Sequence, residues 1–219
     1  MSDLLSTHLL TAGRHRDPAA LAESLRVAVG PAGGVIGRTL PGAINGGDVL
    51  LHGPSTTVDA AMSRERFASV ESVRYRPGAT GHRGDPTEAL VYRALLLGIG
   101  DDASDQARCR FERDLLLMPR HITSMVWWRL SHVESSHGPT RFTHVWEQLF
   151  RTREALSGQY MNHPVHWGLV DRWFDPEMPE NLGIARLCHV ACDFSPDQAP
   201  ALGIPALDVP ALSRAHSIL

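Results

Sequence analysis

The chain contains no lysine: its 21 basic residues are all arginine. That removes two chemistries at once, because Schiff-base catalysis and the phosphate-binding P-loop both depend on a lysine amine. No G-x-G-x-x-G opens a helix either, so no cofactor is expected. Long apolar runs are missing too, and none approaches the length needed to span a bilayer. The opening stretch "MSDLLSTHLLTAGRHRD" lacks the basic-then-apolar layout of a signal peptide, which makes a cytoplasmic location the expectation. A formal charge of −3 over 219 residues gives no electrostatic reason to expect nucleic acid or an anionic membrane as partner. Cysteine is scarce. Cys109, Cys188 and Cys192 are odd in number and form no metal-type pair. On a strand, Cys188 and Cys192 lie roughly 13 Å apart, too far for a disulfide. All three are expected as buried, reduced thiols.

What the chain does have is an ordinary globular composition, 43% hydrophobic and 21% charged, with enough length to bury a real core. Periodicity gives a repeated order. "STHLLTAGR" reads as a strand. "DPAALAESLRVAV" reads as a helix with Asp17 as cap and Pro18 at its first position. "GGVIGRTL" and "GDVLLHG" follow as strands, "STTVDAAMSRERFASV" as a helix, and "ESVRYRP" as a closing strand. Residues 77–86, "PGATGHRGDP", read as a linker.

The second half repeats the order. "ALVYRALLLGI" is a strand, "DDASDQARCRFERDLLL" a helix capped by its acidic start, and "SMVWWRLSHV" a strand. The polar loop "ESSHGPTR" leads into the strand "FTHVWEQLF", then a helix through Gln159, then the strand "RLCHVACDF". Each half is a βαββαβ unit, the split-βαβ ferredoxin-like arrangement. Such a sheet carries helices on one face only, so two units in one chain can cover each other's open faces. The expected fold is therefore α+β, with two tandem ferredoxin-like repeats forming an intramolecular dimeric α+β barrel. The divisions are 1–82 for the first repeat, 83–196 for the second, and 197–219 for an extended Pro/Ala-rich surface tail.

A period of two puts Cys188, Val190, Cys192 and Phe194 on one face of the last strand, suited to packing under helices. Leu187, His189, Ala191 and Asp193 take the other. On "FTHVWEQLF", His144, Trp146 and Gln148 share a face. Buried ionisable groups need partners or a cavity, so His144 and His189 are either satisfied core histidines or lining of a polar, aromatic pocket, and the pocket is the stronger reading. The densest stretch is "GQYMNHPVHWGLVDRW", 158–173. Pro164 disfavours helix at His163, which ends or kinks the helix of Tyr160 and starts a new turn carrying His166 and Trp167. His163 and His166 form an H-x-x-H pair. Lacking the glutamate of H-E-x-x-H and any cysteine pair, it falls short of a zinc motif, and no metal is expected.

The combination "FTHVWEQLF…GQYMNHPVHWG…LCHVACDFSP" resembles the stress-responsive dimeric α/β-barrel (Dabb) family, in particular its polyketide cyclases. The likeness lies in a T-H strand, a Y-x-x-H-P-x-H-x-G segment and a closing strand ending D-aromatic-[ST]-P, over about residues 90–196. "LLLMPRHI" also matches the family's proline after the first helix. The resemblance implies that Tyr160 and His166 are the catalytic pair, that Asp193 orients His166, and that His144 lines the same cavity. The first strand departs from the family, offering Tyr92 and Arg93 where the cyclases carry a histidine. His163, Trp146, Trp167, His189 and Tyr92 complete the expected substrate-binding set.

The chemistry stands on its own terms. A carboxylate on one imidazole nitrogen fixes the tautomer and raises basicity at the other. That imidazole can take an acidic proton beside a carbonyl while a tyrosine hydroxyl donates to the developing oxyanion. The first half has neither segment, and His8 and His52 there read as structural. It looks like a degenerate copy that closes the barrel, leaving one site per chain and a monomeric pseudo-dimer or weak homodimer.

Asp171, Arg172 and Trp173 read as a local ion pair beside a packed tryptophan. Arg108, Arg110 and Arg113 with Asp105, Glu112 and Asp114 read as a solvated helix face. The expected activity is a cofactor-independent cyclase, lyase or isomerase on a carbonyl-rich, polyketide-like or aromatic intermediate. The alternatives are a non-catalytic ligand-binding or stress-response protein and a cofactor-free monooxygenase.

Overall fold

A computed structural model describes residues 4–184 and 186–204. The first half runs β1 (Leu5–Thr11), α1 (Pro18–Val29), β2 (Val35–Arg38), β3 (Val49–Pro54), α2 (Ser55–Met62) and β4 (Ser69–Tyr75). The second half runs β6 (Val91–Leu97), α3 (Asp105–His121), β7 (Met125–His137), β8 (His144–Phe150), an irregular helical stretch, and β9 (Leu187–Asp193). Both halves are βαββαβ, and together they form the expected ferredoxin-like α+β barrel. Among the described residues, no helix is long and apolar enough to cross a membrane.

The strand order is β2-β3-β1-β4-β7-β8-β6-β9. Two joints make one barrel of it. At the first, β7 is longer than expected: Glu134–His137, read as the start of a polar loop, stay extended, and with Val133 this end of β7 pairs with β4. The supposed linker supplies a short strand, β5 (Ala79–His82), that pairs with the other end of β7. At the second joint, residues just past β2 lie along the free edge of β9. Leu40 N donates to Ala191 O (2.8 Å), and Ile44 and His189 exchange backbone bonds (2.8 and 2.9 Å).

Local signals held where they were chemical. Asp17 caps α1 through Ala19 N, with Pro18 at the first position. The cap of α3 is Ser104, not the acidic pair before it, and Pro119 sits inside the last turn of that helix instead of after it. Trp127 packs into the barrel interior, while Trp128 packs on the outer layer. All three cysteines are free, but Cys109 is exposed and only Cys188 and Cys192 are buried.

The two faces of β8 and β9 are the reverse of the expectation. Cys188, Val190, Cys192 and Phe194 point into the barrel interior with Val145 and Leu149. Leu187, Ala191, Trp146 and Phe150 lie under the helices. Every residue of β8 is buried, so the period of two separates two faces but does not say which layer covers each.

The interior also holds a polar network. Arg129 donates to both oxygens of Glu147 (2.6 and 2.7 Å), and Tyr92 OH donates to Oε1 (2.9 Å). His52 Nδ1 meets Thr7 Oγ1 (3.0 Å) and Tyr75 OH (3.2 Å). Burial holds the His52 ring near pKa 4 and pushes both tyrosines well up. Burial alone would raise the Glu147 carboxyl, but Arg129 and His52 outweigh it and lower it.

The segment expected as a surface tail is not one at its start. Pro196–Leu202 forms a helical turn whose Ala199 and Leu202 join the interior core. Leu202 O accepts from Arg129 (3.0 Å). The rest of that segment, 205–219, lies outside the described residues.

Candidate active site

The irregular helical stretch after β8 builds the site. Thr152 Oγ1 accepts from Ala155 N (3.1 Å) at its start. Ala155–Tyr160 wind as a π-helix, and the helix breaks at His163, whose Nδ1 accepts from Val165 N (3.1 Å). Pro164 begins a second run that is π-helical over His166–Val170. On one straight α-helix, residues six apart sit about 240° round the axis from each other. The wide turns and the break instead turn both Tyr160 and His166 toward the sheet, their rings edge-on with centroids 4.8 Å apart. π-Turns of this kind are common at functional sites. The stretch is pinned to α3, where Asp114 accepts from Trp173 Nε1 (3.0 Å) and Arg172 Nη2 (2.9 Å).

Between this stretch and the outer face of the second sheet lies a cavity of about 220 Å³. Its polar lining is Arg93, Tyr160, His166, Asp171 and His189, over an apolar floor that includes Leu95, Leu115 and Val170. Arg93 is only 3% exposed. Its Nη1 donates to Tyr160 OH (3.2 Å) and to Gln148 Oε1, and its guanidinium lies 5.0 Å from the Tyr160 ring centroid.

His166 Nδ1 lies 3.3 Å from Asp171 Oδ2, within ion-pair distance but out of line for a hydrogen bond. The Arg93 charge, then burial, then His166 push the His189 pKa down to about 3, so that ring is neutral. Burial lowers Arg93 as well, partly offset by Tyr160 and Asp171.

Three buried nitrogens on this one cavity, Arg93 Nε, His166 Nδ1 and His189 Nε2, have no hydrogen-bond partner among the described residues. Such groups are costly to bury. Their concentration here makes this cavity the candidate site. A broader hollow of about 690 Å³ over the first half is lined by His8, Asp59 and Ser72. There His8 is satisfied at both nitrogens, by Ser72 Oγ (2.7 Å) and Asp59 Oδ1 (3.0 Å), so nothing points to a ligand.

Of the residues expected from sequence, Tyr160, His166 and His189 come together. The others do not. Asp193 is exposed and paired with Arg153 (2.6 and 2.8 Å). The carboxylate beside His166 is Asp171 instead, so Asp171 does not pair with Arg172, which goes to Asp114. Tyr92 points to the opposite face of β6, into the interior network. Trp146 is buried in the outer core without lining the cavity. His163 serves the helix break, and Trp167 is 61% exposed.

His144 lies at the far end of β8, against Glu112 (Nε2 to Oε1, 3.2 Å). Burial lowers its pKa against the pull of Glu112. Sequence reasoning missed Arg93, Gln148 and Asp171 as site residues. The available signal was Arg93, one charge inside the run "ALVYRALLLGI", where burial demands a partner.

The fold resembles that of an anthrone oxidase-like protein, at 9% identity and TM-score 0.60, covering 88% of this chain and 91% of that one. It also resembles candidate monooxygenases from Lactobacillus acidophilus (8%, TM-score 0.54, 88% and 93% covered) and Fusobacterium nucleatum (6%, TM-score 0.55, 89% and 98% covered). At these identities the likeness is one of fold. A comparison with curated protein sequences finds no match. The stress responsive A/B barrel domain matches residues 91–182, which hold Arg93, Tyr160, His166 and Asp171. The likeness to the stress responsive A/B barrel (Dabb) family thus lies in the second half of the chain, over the residues that build the cavity.

Proposed function

We propose that the protein is a cofactor-independent acid–base enzyme acting on a small, carbonyl-rich aromatic or polyketide-like molecule. The observation that carries this reading is the Arg93–Tyr160–His166 row on one cavity with unpartnered buried nitrogens. With Nδ1 facing the Asp171 carboxylate, His166 presents Nε2 as the base. It takes a proton from the carbon next to a carbonyl, and the electron pair moves onto the carbonyl oxygen. Tyr160 OH donates to that oxygen. Arg93, by donating to the tyrosine oxygen, strengthens the hydroxyl as a donor and supplies positive charge for the enolate. In an aldol-type cyclisation the enolate carbon then bonds to a second carbonyl carbon, and the proton held on His166 returns to the new alkoxide. Lyase and isomerase outcomes use the same first step.

That step can be measured without knowing the substrate. In heavy water, the protein should accelerate deuterium uptake at the acidic C–H of simple β-diketones and acyl phenols, followed by NMR. His166→Ala should lose about 10²- to 10⁴-fold of that rate. Equal exchange by wild type and variant, or none above buffer, would sink the proposal. Wild type that binds such a ligand without exchange would point to the binding-protein reading. A second reading is favoured by the names of the fold neighbours: an enolate or phenolate formed beside Arg93 could react with oxygen directly. Oxygen uptake with anthrone- or quinol-type compounds separates the two.

A further inference from the structure

A second cluster of reactive side chains lies outside that cavity and shares none of its lining. His132 on β7 and His144 on β8 face each other across the strand pair, with ring centroids 4.9 Å apart. Glu112 reaches them from α3. Its Oε1 lies 2.9 Å from His132 Nε2 and 3.2 Å from His144 Nε2, and the three ligand atoms all fall within 4.8 Å of one another. A tetrahedral zinc ion with bonds of about 2.0–2.1 Å needs its ligand atoms about 3.3 Å apart. The two oxygen–nitrogen separations already stand near that spacing.

Thr143 supports the His144 ring from its other nitrogen. Thr143 Oγ1 donates to Leu97 O (3.3 Å) and accepts from Ile99 N (3.0 Å). It also meets His144 Nδ1 at 2.8 Å. In the tautomer with the hydrogen on Nδ1, Nε2 presents its lone pair toward Glu112. A cation bound between that nitrogen and the carboxylate oxygen would select this tautomer. Thr143 is also the outer partner that metal-binding histidines ordinarily have. Arg108, four residues before Glu112 on the same helix, is turned to the Ala103 and Gly100 carbonyls (3.1 and 2.7 Å).

We propose that Glu112, His132 and His144 form a binding site for a divalent transition metal, zinc by the chemistry of its two imidazoles and one carboxylate. The site ties α3 to the β7–β8 pair. An open hollow of about 330 Å³, lined by Glu112, His132, Glu134 and Arg76 among others, adjoins it and leaves the fourth coordination position accessible to water or a small oxygen ligand. Three protein ligands with one open position is the arrangement of zinc sites that bind or activate a ligand, not of closed structural ones.

The test is titration of chelator-stripped, tag-free protein with zinc against a chromophoric indicator, alongside thermal melts. Wild type should bind one equivalent, and its melting temperature should rise with zinc. Glu112→Gln and His132→Ala, both at the solvent-facing side and compatible with folding, should each weaken binding by more than about 100-fold and abolish the thermal shift. Thr143→Val should weaken it by about 10-fold. His163→Ala, in the H-x-x-H pair outside this cluster, should bind as wild type. Failure to bind an equivalent, or unchanged binding in Glu112→Gln and His132→Ala, would overturn the proposal. The cluster would then be a carboxylate accepting two imidazole N–H bonds.

Discussion

At the scale of the residue, the site turns on which carboxylate faces His166. Asp193 was the expectation, because it closes a strand in the D-aromatic-[ST]-P pattern, but its side chain leaves the sheet edge for Arg153. Asp171 arrives through the fold of the π-helical stretch. Asp171→Asn should therefore slow the deuterium-exchange reaction by about 10-fold, well short of the ~10⁴-fold loss on amidating a buried triad aspartate, because Asp171 is half exposed. Asp193→Asn should leave the rate unchanged. The reverse pattern in exchange rates would restore the role to Asp193. Tyr160 and His166 were legible because they sit in one short segment that resembles the family's Y-x-x-H-P-x-H-x-G, with a proline break that aims their rings inward. Arg93 and Gln148 were not, since their meeting depends on strand register.

At the scale of the element, the barrel closes where residues past β2 lie on β9. The approach is close. A Cβ built on Gly37 would stand 2.7 Å from Cys192 Cβ, a backbone-proximal atom that cannot swing away. Gly37→Ala should cost about 1–3 kcal/mol by forcing the seam apart, read as a lowered urea midpoint. An unchanged midpoint would mean that the seam yields freely. The helices and strands themselves were largely readable, because periodicity and caps are local. The continuation of β7 through "ESSH" was not. Those polar residues are extended because β4 offers them backbone partners, and only the assembled sheet brings β4 there.

The whole molecule adds a pH dependence centred on the barrel interior. His52 is held near pKa 4 in the folded protein against 6.5 as its reference value. The unfolded chain therefore takes up the proton more readily. Stability is at its full value above about pH 6.5 and is lost as pH falls toward 4. From His52 alone, the loss by pH 5 should be about 2 kcal/mol relative to pH 7. His189, also depressed, acts with the same sign. Glu147 contributes only lower down, since its folded pKa lies below the ordinary carboxylate value. Urea unfolding at pH 7 and pH 5 should show this decline, and His52→Asn, which cannot titrate, should flatten it. Equal slopes in the two proteins would place the pH sensitivity elsewhere.

The sequence by itself determined the order of elements, the doubling of the βαββαβ unit, the family likeness of the second half and the pairing of Tyr160 with His166. The first two follow from local periodicity and capping, while the pairing of Tyr160 with His166 was implied by the resemblance of their segment to the family. The tertiary structure alone decided which face of each strand looks inward, which carboxylate meets His166, and that Arg93 joins the site. It also decided that Glu112, His132 and His144 converge from three elements. Both faces of the central strands are buried, so polarity cannot tell one layer from the other, and contacts between distant elements exist only once the sheet has closed.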